Sequence, residues 1–100
     1  LSNLELFSML ASSEKRVLID SCLQHAAVSF NLPSTVLWVG TSPNVFGYKL
    51  HKNVVAKVPN KKNQLIGSYL FDYQFENNIH ECPYINMNEM FDVNQVLSSI

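Results

Sequence analysis

The chain has 100 residues, 47% of them hydrophobic and 15% charged, with a formal net charge of -1. That length allows one domain with a limited core, because a chain of this size buries only about two-thirds of the surface it exposes when unfolded. The composition argues against a disordered chain and against a basic nucleic-acid-binding one. The longest apolar runs, about four residues, fall far short of the roughly 18 that a membrane-spanning helix needs.

In chain order, Ser2-Asn3-Leu4-Glu5 has the form of a capping box. With Leu4, Phe7, Leu10 and Ala11 at helical spacing, it predicts a helix over Asn3 to Ser13. Val17 to Ile19 is a short buried strand, and Asp20 or Ser21 caps a second helix running through His25 to Phe30. Asn31-Leu32-Pro33-Ser34 ends that helix. Thr35 to Val39 is a second strand, apolar on both faces as a parallel strand covered on two sides would be, and Gly40-Thr41-Ser42-Pro43 breaks it. A helix joining two parallel strands implies a right-handed crossover. An irregular segment, Asn44 to Lys52, holds Phe46-Gly47-Tyr48 and His51 and leads to a third strand over Asn53 to Val58. Pro59 to Asn63 reads as a solvated turn, and Gln64 to Glu89 carries no clear signal. Asp92 starts a closing helix whose apolar face is Val93, Val96, Leu97 and Ile100. The fold class is therefore α/β, with residues 1–100 as one unit. Leu1 stands where a natural start has Met, with a helix signal already under way, as expected of a fragment or processed chain.

Chemistry concentrates at VLIDSCLQHAA, residues 17–27. A carboxylate and a hydroxyl at a strand's carboxyl end, with an imidazole one turn into the next helix, converge where open α/β sheets bind ligands. The free amides of residues 21–23 would cradle a phosphate. The other reading of the same residues is that Asp20 or Ser21 only caps the helix and His25 is a packed or surface residue. Gly40 and Thr41 follow the neighbouring strand and face the same edge, either lining the ligand or forming a plain turn. Trp38, Phe46 and Tyr48 offer aromatic surface for a base or sugar, or simply build core.

A nucleophilic Ser21 is disfavoured because no Gly-x-Ser-x-Gly elbow surrounds it. No CxxC, HxxxH or HExxH spacing occurs, and His80-Glu81-Cys82 lacks the second cysteine pair of a zinc deaminase, so no metal is expected. Cys22 and Cys82 differ in setting and read as reduced thiols of a cytosolic chain rather than a bridge.

The succession Asp20-Ser21-Cys22-Leu23-Gln24-His25-Ala26-Ala27, Pro33, the apolar strand from Thr35, and Gly40-Thr41-Ser42-Pro43 resembles the C-terminal domain of glycosyltransferase family 9, the ADP-heptose:lipopolysaccharide heptosyltransferases. The family pattern is similar to Asp-(Ser/Thr)-Gly-x-x-His-x-Ala, then Pro and an apolar strand, then Gly-Pro-Thr-x-Pro. Cys22 stands where the family has glycine, and the proline between Gly40 and Thr41 is missing. The resemblance runs from about Leu4 to Val55. It implies a Rossmann-like three-layer parallel sheet, the C-terminal half of a two-domain GT-B glycosyltransferase, which holds a nucleotide-diphosphate sugar and needs no cofactor or metal. Asp20 would then meet sugar hydroxyls, and Ser21, His25 and neighbouring amides such as that of Cys22 would meet the diphosphate, with Gly40 and Thr41 lining the pocket. It also implies a sugar or glycolipid acceptor, a catalytic base in an N-terminal domain, and cytoplasmic work with a possible peripheral place at the inner membrane. The competing expectation is a non-catalytic α/β interaction or structural domain that associates with itself or with a partner half through open sheet edges.

Overall fold

A computed structural model describes residues 1–39, 41–57, 88 and 90–100. Its elements are α1 (Asn3–Ser12), β1 (Val17–Ile19), α2 (Cys22–Ser29), β2 (Thr35–Trp38), α3 (Pro43–Phe46), β3 (Lys52–Val55) and α4 (Val93–Ser99). The three strands form one parallel sheet in the order β1-β2-β3. The α/β class holds.

The helix ends follow the sequence chemistry. Ser2 and Glu5 close the capping box of α1 reciprocally, Ser2 N donating to Glu5 Oε2 at 2.7 Å and Glu5 N to Ser2 Oγ at 3.2 Å. The inner face of α1 differs from expectation in one place. Leu4 is exposed, while Leu6, one turn before the buried Leu10, turns inward with Phe7. At the end of α2, Asn31 takes a left-handed φ of 55°. Leu32 N donates to Ala27 O at 2.8 Å and Asn31 N to Val28 O at 2.9 Å. This paired closure is the Schellman arrangement, and Asn tolerates its left-handed residue better than most side chains do.

Two stretches correct the sequence reading. Asn44 to Lys52 is not irregular throughout. Ser42 Oγ accepts from Asn44 N at 3.2 Å, Pro43 takes the first helical position, and one turn, α3, results. The third strand begins at Lys52 rather than Asn53, because Lys52 N donates to Ser34 O at 2.9 Å and extends the ladder backward. The strand runs to Val55, Ala56 N still donates to Trp38 O at 2.8 Å, and on the other side Lys57 N donates to Met90 O at 2.7 Å. Val58, Pro59 to Asn63 and most of Gln64 to Glu89 lie outside the described residues.

In a parallel sheet, register partners share a face. Val17, Thr35 and Lys52 form one such row, and Ile19, Leu37 and Val54 the next. Thr35 Oγ1 donates to Ser99 O at 2.9 Å, so α4 lies on this side. Right-handed crossovers that advance in one direction put both connections on the opposite face, which leaves α4 to cover this one. It packs against β3 and bonds to β2 at Thr35. Val54 is buried, while Val17 and Ile19 stay 45% and 63% exposed. The second strand is enclosed as expected, but the first is covered on one face only. The closing helix also turns less of its apolar face inward than expected: Val96 is half-buried, whereas Val93, Leu97 and Ile100 are exposed. On the other face, Val36 and Trp38 are fully buried, as are Ala27 and Gln24 of α2. Trp38 is therefore core rather than a stacking surface, and its indole N–H donates to Asn53 Oδ1 at 2.9 Å. No helix among the described residues is long and apolar enough to cross a membrane.

Candidate functional site

Asp20 immediately follows β1, and Thr41 follows the end of β2, the adjacent strand. The parallel pairing brings these two carboxyl ends together, and Thr41 Oγ1 donates to Asp20 Oδ2. The other carboxylate oxygen, Oδ1, accepts from Gln24 Nε2 at 3.3 Å. Asp20 stands just before the Ser21 cap, and Gln24 lies in the first turn of α2. Thr41 is buried, Gln24 fully so, and Asp20 half-buried.

Gln24 ties three elements together. Its Nε2 also donates to Phe46 O of α3 at 3.0 Å and lies 3.3 Å from His25 Nε2. A carboxylate oxygen and a carbonyl oxygen take its two hydrogens, so reversing the amide would set an oxygen against both, and the orientation is fixed. Among the described residues its buried Oε1 has no partner. An amide oxygen of this kind accepts from any donor that reaches it.

His25 is exposed on α2, with Nδ1 2.8 Å from the Tyr48 hydroxyl and the two rings edge to face at 5.5 Å. The Tyr48 ring in turn meets His51 edge to face at 6.0 Å. His51 is buried. Its Nδ1 accepts from Ser34 N at 3.2 Å, so Nε2 is protonated and donates to Gln24 O at 2.8 Å.

Ser21 caps α2, its Oγ accepting from Leu23 N at 3.4 Å. Among the described residues neither a carboxylate nor an imidazole bonds to that hydroxyl, so Ser21 has no base to activate it. Cys22, in the first turn of α2, is an exposed free thiol. The site thus joins Asp20 to Thr41 directly, places Ser21 and His25 on the helix leaving the same corner, and turns Cys22 to solvent. Gly40, Cys82 and His80 lie outside the described residues. No group of three or more His, Cys, Asp or Glu among the described residues is placed to hold a metal ion.

Sequence reasoning passed over the roles of Gln24 and His51, and offered Tyr48 as an aromatic surface rather than as the partner of His25. Nothing local marks the His51 and Tyr48 contacts. The corner also lacks one expected feature. Strand order runs forward from β1 to β3 without reversal, so the described sheet has no switch point of the kind that opens a crevice in doubly wound folds. Comparison with family models, with curated proteins and with solved structures gave no match to this chain.

Proposed function

We propose that the chain binds a nucleotide-diphosphate sugar at the carboxyl edge of its sheet, as the donor-binding part of a heptosyltransferase-like glycosyltransferase. The supporting observation is the Asp20–Thr41 hydrogen bond, which gathers two strand ends and the start of α2 into one polar corner. On this reading the first amides of α2 meet the diphosphate, aided by the positive end of the helix dipole. Asp20 exchanges an internal donor for a sugar hydroxyl. Leaving-group charge is stabilised by amides, a hydroxyl and the His25 imidazole rather than by a metal. The acceptor, a sugar or glycolipid, and the base belong to a second domain, so the chain by itself binds donor without transferring it. The finer architecture, a Rossmann-like three-layer half of a GT-B enzyme, is part of the same proposal.

A second reading, a non-catalytic α/β interaction domain, is favoured by a specific feature. Both oxygens of Asp20 and both nitrogens of His25 already have partners within the chain. Calorimetric titration with ADP and with UDP separates the two. Saturable binding that disappears in the Asp20→Ala, His25→Ala double variant, with the variant's fold checked by circular dichroism, supports the donor site. A folded chain that binds neither nucleotide overturns it and leaves the interaction domain.

A further inference from the structure

At the opposite, amino-terminal edge of the sheet lies a pocket of about 180 Å³ lined by Glu14, Lys15, Arg16, Ser34, Thr35 and Lys52, among others. We infer that this pocket is a binding site for a small oxyanion of phosphate size, separate from the corner at Asp20.

The sheet builds the site. Arg16 O accepts from Thr35 N at 3.0 Å, and Ser34 O from Lys52 N at 2.9 Å, so residues entering β1, β2 and β3 stand side by side. Adjacent strands are about 4.8 Å apart, which places the Arg16, Ser34 and Lys52 positions within reach of one small ligand. Three cationic side chains there face one acidic side chain, Glu14, and the α-carboxylate of the last residue, Ile100, which leaves the lining net positive. A concave surface with this balance focuses positive potential, which favours a dianion over a monoanion.

Arg16 is also held ready. Its Nε donates to Ser34 Oγ at 3.2 Å, Nη2 to Pro33 O at 3.2 Å, and Nη1 to Ser13 O. These acceptors are all neutral, and two of the five guanidinium N–H groups remain free among the described residues. Fixing the fork beforehand removes most of the ordering penalty of binding. Drug-sized ligands occupy about 300–1,000 Å³, so this cavity admits only a smaller molecule.

The test is a titration of the whole chain with inorganic phosphate, ionic strength held constant with chloride, followed by backbone amide resonances. Saturable shifts are expected at Arg16, Ser34, Thr35 and Lys52. Lys15→Gln and Lys52→Gln alter exposed side chains and spare the backbone ladder. Each is expected to weaken binding roughly two- to fivefold, the range of one exposed charge pair. Arg16→Gln is expected to abolish it. The inference is overturned by an absence of saturable shifts, by affinity that neither lysine change alters, or by shifts centred on Cys22 and Leu23 instead.

Discussion

His51 Nε2 donates to the main-chain oxygen of Gln24 at 2.8 Å, so the segment before β3 is bolted to the middle of α2 by a buried imidazole. The second ring nitrogen takes the Ser34 amide just ahead of β2. One side chain therefore sets the spacing between a helix and two strand entries. Replacing it with Ala removes both bonds and leaves the Ser34 N–H without an acceptor. Urea unfolding is expected to show a loss of about 2–4 kcal/mol. Amide exchange at Ser34 should speed up in the same variant.

The link between Asp20 and Thr41 gives a graded pair of substitutions. Thr41→Ala strips a charge-assisted donor from a half-buried carboxylate and should cost about 1.5–3 kcal/mol in denaturant unfolding. Thr41→Ser keeps the hydroxyl and should lose less than half as much. Equal losses would mean that the methyl group, not the hydrogen bond, matters there.

Gln24 tests whether the corner tolerates more negative charge. Gln24→Glu sets a second carboxylate against Asp20 Oδ1 and the Phe46 carbonyl, in a position with no exposure. A loss of about 3 kcal/mol or more in unfolding free energy is expected. Gln24→Met, similar in volume and uncharged, leaves Asp20 one donor short and should be milder. A Glu variant as stable as wild type would contradict the buried arrangement.

Gly47 ends α3 with its α-carbon tight against the helix start. A β-carbon there would sit 2.5 Å from Pro43 O and 3.0 Å from Pro43 Cα, both backbone atoms that cannot swing aside. Gly47→Ala is thus expected to open the α3 turn and to part Tyr48 from His25. The readout is loss of Tyr48–His25 nuclear Overhauser contacts, with a stability loss of about 1–3 kcal/mol.

Legibility from sequence followed the range of the interactions. The capping box at Ser2, the Ser21 cap, the Asn31 terminus and the run Thr35 to Trp38 each depend on neighbours within a few residues, and all were readable. The α3 turn was readable in principle from Ser42-Pro43, a cap followed by a first-turn proline, but it is too short to show periodicity. The Trp38–Asn53 bond and His51 as a bolt depend on partners 15 and 27 residues away, and no local pattern specifies them. The exposed Val17 and Ile19 follow from topology, because a strand's apolar content does not reveal which face a distant helix will cover.

The forward strand order also bears on how the chain folds. Each strand pairs with one fewer than twenty residues away in sequence, so both ladders close over short loops with small entropic penalties. By contrast, the bond from Thr35 to Ser99 spans 64 residues. The sheet and α2 can therefore assemble as a local nucleus, with α4 docking afterwards. Substitutions at the Thr35–Ser99 contact should consequently speed unfolding while leaving the refolding rate nearly unchanged.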